Sequence, residues 1–378
     1  MGKKIVLIGT TWPFRGGLAA FNERLGEQFV REGDEFEFFT FTLQYPKIFF
    51  PGKTQMATWD APDDLKINIK VNAVNPLNWL KVGKIIKNLK PDLVLVKYWM
   101  PFFAPCFGTI LRKIKQNKHT RVISILDNIL PHEPRPGDRM LTQYFVNVVD
   151  SFIAMSKSVA EDLKIFSDKP VKISPHPLFD NFGDVAPKEK ALKNLGLAND
   201  GTKYMLFFGL IRRYKGLDIL LDALKELDLK ALNIKLIIAG EFYDEQDKYE
   251  QQIKDNGLSE FIILHDFFIP NDKVADYFNA GDVVVQPYKT ATQSGVTQIA
   301  YHFNKAMIVS DVGGLPEIVP HEKCGLVVKP DASSIAKAIA DFYQNNMVES
   351  TKAGIVEQKK KFAWGELTRS INELYSKL

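Results

Sequence analysis

Between residues 207 and 216 the chain reads FFGLIRRYKG. Residues 204–208 predict a short buried strand and Gly209 a sharp exit from it, while Leu217, Leu220, Leu221 and Leu224 recur at helical spacing. Arg212 and Lys215 then fall at the carboxyl edge of a sheet, where ligands of open α/β folds bind and where two cations suit a diphosphate. A plainer reading has Arg212, Arg213 and Lys215 capping carbonyls or facing solvent. Two glycine-bearing loops bear on the choice. Residues 10–17 (TTWPFRGG) place Gly16 and Gly17 before a helix, so backbone N–H groups can approach an anion with no Cβ between. Residues 293–297 (QSGVT) open another helix, with Ser294, Gly295 and the next amides as a second anion-receptive start. Residues 311–317 (DVGGLPE) form a third such loop, or equally a helix start with Pro316 in its first turn. None is a Walker loop or a GxGxxG fingerprint.

These loops need a scaffold, and the chain predicts it twice over. Strands at 4–8, 36–40, 93–97, 122–126 and 150–156 alternate with helices at 17–31, 79–90, 104–115 and from 158. Periodicity is lost across 173–187, which marks a linker. A second series of strands follows at 204–208, 235–239, 262–265, 283–286, 307–310 and 325–328, with a last helix over 364–377. The fold class expected is α/β, with two doubly wound Rossmann-like domains facing a cleft: residues 1–185, residues 186–362, and a C-terminal helix at 363–378 that packs back toward the first domain. Long crossovers such as 42–67 read as loops at the cleft edge.

A length of 378 residues suits two domains, and 46% hydrophobic residues can fill both cores. No apolar run reaches the roughly 18–20 residues of a membrane span, and the N-terminus reads as a strand, not a leader, so a cytoplasmic protein is expected. Cys106 and Cys324 lack zinc-ligand spacing and read as core residues. The net charge of +4 is unevenly placed: residues 1–187 hold 25 of the 49 basic and 19 of the 45 acidic side chains. Within that half, Lys81, Lys84, Lys87 and Lys90 form one basic row and Arg112, Lys113, Lys115 and Lys118 another. Such helices could rest on anionic lipid or present a solvated face. With no recognised module and no stacking platform, nucleic acid is not an expected partner.

Taken in order, RGG near the start, KPDLVLVKYW, SKSVAEDL, PHPLFDNF, FFGLIRRYKGLDILLDAL, IIAGEF, ADYFNAGDVVVQPY and DVGGLPEIV resemble the retaining glycosyltransferases of family 4, which have the two-domain GT-B architecture. The resemblance spans nearly the whole chain. It implies transfer of a sugar from a nucleotide-sugar co-substrate, UDP- or GDP-linked, with the donor on the second domain and a glycan or lipid-linked acceptor on the first. It implies no metal and no other cofactor, because side-chain cations and helix dipoles meet the leaving diphosphate. Arg212 and Lys215 match the family's diphosphate-binding cations, next to Gly209. Gly16 and Gly17 match the loop that closes on the phosphates. Ser294, Gly295, Val296 and Thr297 match the loop that meets the distal phosphate, Glu317 lies beside the donor, and Glu241, Phe242, Phe267 and Phe268 edge the nucleotide pocket or pack in the core.

The chain departs from the family pattern in its carboxylates and its histidine. Two glutamates common before DVGG are here Ala291 and Ile299, with Gln293 and Gln298 as neutral substitutes nearby. The usual first-domain histidine is Asp127, within residues 126–128 (LDN), so Asp127 is the candidate contact to a sugar hydroxyl or the acceptor; His132 follows as an acceptor-side or structural residue. Two functions are carried forward. One is an active, metal-independent transferase of cell-surface glycan synthesis, cytoplasmic or peripheral at the inner membrane face. The other is a catalytically silent homologue serving as a partner subunit.

Overall fold

The computed structural model describes residues 2–46, 55–57, 60–130, 135–243, 245–291 and 294–378. The chain forms two compact units, one of Met1–Pro175 with Trp364–Leu378 and the other of His176–Ala363.

Among the described residues of the first unit, seven strands form one sheet. They are β1 (Lys4–Ile8), β2 (Glu35–Leu43), β3 (Lys66–Asn72), β4 (Leu93–Tyr98), β5 (Arg121–Leu126), β6 (Ser151–Ala154) and β7 (Val171–Ile173), in the order β3-β2-β1-β4-β5-β6-β7. Each neighbouring pair is parallel. Parallel strands need helical crossovers, and those helices cover both faces, so central strands read as unbroken Val, Ile and Leu runs. On one face, Val94, Val96 and Tyr98 pack with Val82 and Ile86 of helix Pro76–Leu89 and with Phe107, Ile110 and Leu111 of helix Ala104–Ile114. On the other, Phe21 of helix Gly17–Arg31 meets Trp364, the first residue of helix Trp364–Tyr375, with ring centroids 5.2 Å apart. Thr368 Oγ1 of that last helix donates to Glu32 at 2.6 Å.

The second unit repeats the plan with β8 (Lys203–Phe208), β9 (Ile234–Ala239), β10 (Ile262–His265), β11 (Val283–Gln286), β12 (Ala306–Ser310) and β13 (Gly325–Val328), ordered β10-β9-β8-β11-β12-β13. All its pairs are parallel. In each sheet the strand order reverses once, between β1 and β4 and between β8 and β11. At such a switch point the two flanking loops leave in opposite directions and open a crevice at the carboxyl ends.

The structure corrects one boundary. Strand β2 continues to Leu43 and β3 begins at Lys66, so the crossover expected over 42–67 is shorter, and the strand that ends it was not expected. The stretch 173–187, expected as a linker, contains the division between the units and packs along the second. It has little regular structure, yet His176, Phe179 and Phe182 are buried, Leu178 N–H donates to Phe362 O at 2.9 Å, and Ala186 N–H donates to Asn279 Oδ1 at 3.1 Å. Two phenylalanines in an aperiodic stretch anchor it to the second unit.

Candidate active site

In the second unit, β8 ends into Gly209, whose φ of 95° is open to glycine and strained for other residues. A Cβ there would lie 2.9 Å from Lys215 Nζ and 3.7 Å from Val296 Cγ2. The absent side chain of Gly209 is thus the space in which the Lys215 ammonium meets the first turn of helix Gly295–His302. The loops after β8 and β9 are zipped together: Ile211 N–H donates to Glu241 O at 2.9 Å and Tyr243 N–H to Ile211 O at 3.0 Å. That pairing sets the direction of Arg212, whose guanidinium lies 4.9 Å from the Tyr243 ring centroid.

Lys215 is buried, 7% exposed, and among the described residues it has no salt bridge. Burial first, and then the neighbouring Arg212 charge, push its ammonium down to a pKa of about 7. Arg213, the third cation of the motif, is exposed and spent on Glu245. Tyr288, after β11, donates to or accepts from Ser294 Oγ at 3.2 Å, and Lys215 Nζ stands 5.9 Å from the Tyr288 ring. Ser294 caps the helix by accepting from Val296 N–H at 3.2 Å, and the Thr297 hydroxyl donates back to Ser294 O. The Thr297 side chain and the Val296 amide are therefore engaged in the cap, and a Cβ on Gly295 would lie 2.8 Å from the Phe179 ring, so the glycine lets that ring close on the helix start.

Gln298 is fully buried with neither side-chain polar atom hydrogen-bonded, and Gln286 at the end of β11 is in the same state. Ile299 is buried in the helix where the family pattern has a carboxylate, and Ala291 is half-buried. Glu241 is buried at the end of β9, and Phe242 packs on Tyr249 with centroids 5.7 Å apart. Phe268 is half-buried and Phe267 half-exposed after β10, two strand positions from β8; Glu317 is exposed in the first turn of the short helix Leu315–Ile318 after β12, two positions away on the other side. The structure thus gathers Gly209, Arg212, Lys215, Glu241, Ser294, Gly295 and Val296 around the β8/β11 switch point, with Phe268 and Glu317 farther along the same edge. Gln293 and His132 lie outside the described residues.

In the first unit, Gly16 caps helix Gly17–Arg31 at φ 105° with no side-chain cap, and a Cβ on Gly16 or Gly17 would meet no atom within 4 Å. The preceding loop is held from the helix: Asn22 Nδ2 donates to Thr10 O at 2.7 Å, while Glu23 accepts from Thr11 Oγ1 at 2.8 Å and from Trp12 N–H at 2.7 Å. Burial raises the Glu23 pKa against those two bonds. Asp127 follows β5 and is not alone. Its Oδ1 accepts from Lys97 Nζ at 2.6 Å, and Lys97, 1% exposed, sits in the middle of the apolar run LVLVKY of β4. Lys97 was missed from the residues alone, although a lysine inside a strand buried on both faces is itself an anomaly. The second basic row is largely structural: Arg112 stacks 3.7 Å over Tyr144 and donates to Gly108 O and Tyr144 O, and Lys115 pairs with Asp150.

Comparison with known proteins agrees with this architecture. Residues 202–345 match the family described as glycosyl transferases group 1. An uncharacterized glycosyltransferase of Methanocaldococcus jannaschii is 27% identical over 305 residues, 80% of each chain. The lipopolysaccharide core biosynthesis mannosyltransferase LpsB of Rhizobium meliloti is 25% identical over 63% of this chain and 68% of its own. Among solved structures, Anabaena HepE in complex with UDP superposes with a TM-score of 0.76 at 17% identity, covering 99% of this chain and 100% of that one. Two parallel sheets with loops at their switch points give the chain the two-domain GT-B fold of that solved structure. Its second sheet lies within the segment that is similar to the glycosyl transferases group 1 domain.

Proposed function

We propose that the protein is a retaining glycosyltransferase that takes a sugar from a UDP- or GDP-sugar and delivers it to a glycan or lipid-linked acceptor in cell-surface glycan assembly. The observation that carries this reading is Lys215, a buried cation with no acidic partner among the described residues, set beside Arg212 and the start of helix Gly295–His302. A buried charge is costly unless something anionic completes it, and a diphosphate does so while gaining charge as the glycosidic bond breaks. Arg212, Lys215 and Gly295 hold the diphosphate in this reading; Glu241, Phe242, Phe268 and Glu317 surround the rest of the donor. The leaving phosphate oxygen takes the acceptor proton on the same face of the sugar, so no protein nucleophile is required. The names of the Rhizobium and Anabaena proteins support an envelope glycan and a uridine donor respectively.

An acceptor at the inner membrane face is supported by helix Pro76–Leu89. Leu77, 78% exposed, and Leu80 precede Lys81 and Lys84 on one helical face, an apolar tip followed by cations of the kind that seat in an anionic lipid surface. Among the described residues no helix is long and apolar enough to cross a membrane. Calorimetry with UDP and GDP, followed by a nucleotide-sugar screen for release of the diphosphate, tests the reading. Binding with turnover is expected. Binding without turnover on any donor would favour the silent partner subunit instead, for which Ala291 and Ile299 are the motive, and no binding at all would sink both.

A further inference from the structure

Asp127 is a candidate sugar contact, but its partner Lys97 has no role in that reading. Strands β4 and β5 pair with Lys97 opposite Ile125, so Asp127 stands two residues past that partner, on the same face of the sheet. The lysine stem spans this diagonal, and Nζ reaches Asp127 Oδ1 at 2.6 Å while lying 3.4 Å from the centroid of the Phe21 ring. Core packing alone would be met by methionine or leucine at position 97, since replacing a buried ion pair with apolar groups is commonly neutral or stabilising. Burial pushes the lysine's pKa down, and the Asp127 charge opposes that push. The other carboxylate oxygen, Oδ2, has no hydrogen-bond partner among the described residues, and the Asp127 side chain is 23% exposed at the carboxyl edge of β5. With Oδ1 fixed, Oδ2 presents one oriented acceptor.

We propose that Lys97 is a positioning residue that holds Asp127 so that Oδ2 accepts a hydrogen bond from a sugar hydroxyl of the transfer reaction. This rests on the glycosyltransferase reading above. A carboxylate oxygen can only accept, so its partner must be a donor, and a hydroxyl-bearing pyranose supplies donors where a nucleoside diphosphate's phosphates do not. A fixed charged acceptor also discriminates more sharply than a mobile one, because a sugar lacking that hydroxyl leaves it unpaired.

The test uses the full-length protein with Asp127→Asn, Lys97→Met and the double variant, assayed for nucleotide-sugar hydrolysis without acceptor and for transfer. Each single variant is expected to raise KM for the sugar it touches by roughly 10- to 100-fold, with kcat less affected, and the double variant to be no worse than the poorer single. A KM rise in hydrolysis assigns the hydroxyl to the donor; a rise confined to transfer assigns it to the acceptor. Nucleoside diphosphate binding, which lacks the transferred sugar and the acceptor, should be unchanged. Asp127→Asn is nearly isosteric and partly exposed, so it remains informative even where Lys97→Met lowers the melting temperature. A KM within about threefold of the parent for Asp127→Asn in both assays overturns the inference, as do losses that simply add in the double variant. A parent protein that binds no nucleoside diphosphate overturns the glycosyltransferase reading and this inference with it, an outcome calorimetry separates from the first two.

Discussion

In the proposed donor site, the pH dependence of binding rests on one side chain, Lys215. Burial and Arg212 depress its pKa to about 7, so above that pH the free protein increasingly holds a neutral amine. A bound diphosphate favours the ammonium, and binding above pH 7 therefore takes up a proton. The sign follows: affinity for the nucleoside diphosphate should fall as pH rises through 7, by up to roughly tenfold per unit. Calorimetry at pH 8 in buffers of different ionisation enthalpy reads the uptake directly, and Lys215→Met should abolish it; a pH-independent affinity between 6.5 and 8.5 would dismiss the mechanism. Turnover is a second readout at this scale. Arg212→Ala and Lys215→Ala should each lower it by ~100-fold or more, because each removes a charge-assisted contact to a group gaining charge in the transition state. Arg213→Ala, which loses only an exposed pair with Glu245, should change it little.

At the scale of elements, the loop after β8 depends on its first residue. Gly209→Ala adds strain at φ 95° and pushes a Cβ to 2.9 Å from Lys215 Nζ, so about 1–3 kcal/mol of stability should be lost along with diphosphate affinity, read by thermal melts with and without UDP. Helix Pro76–Leu89 carries the other prediction. Replacing Leu77 and Leu80 with Ser, or Lys81 and Lys84 with Gln, should reduce binding to anionic liposomes, and raised salt should mimic only the lysine change. Equal binding by all variants would leave this helix a solvated face. Central elements such as β1, β4, β8 and β9 were legible because strands buried on both sides must be runs of Val, Ile and Leu. The edge strands of the first sheet were not: β3 reads KINIKVN and β7 only VKI, since an exposed edge tolerates Lys and Asn, whereas the second sheet's edges β10 (IILH) and β13 (GLVV) keep an apolar run and were expected. The cations after β8 and the glycine loops were legible for the opposite reason, being charged or small residues directly after apolar runs. Lys97 hid inside such a run, and its pairing with Asp127 depends on the β4/β5 register, which no local pattern encodes.

At the scale of the whole molecule, the chain enters the first unit, builds the second, and returns, because helix Trp364–Tyr375 belongs with Met1–Pro175. Its residues Trp364 and Thr368 cover Phe21 and meet Glu32 at the two ends of helix Gly17–Arg31. Removing residues 364–378 should therefore uncover Phe21, the ring that lies against Lys97, and weaken the first unit more than the second. Hydrogen exchange localised to helix Gly17–Arg31 and β4 checks this, and uniform protection in the truncated chain would refute it. The same return path orders events on the ribosome. Although the first unit's strands emerge earliest, its outer layer is completed only by the segment translated after the entire second unit, so the sheet that begins the protein is the last to be closed. Until then its exposed Phe21 face is a surface on which a nascent-chain chaperone has reason to act.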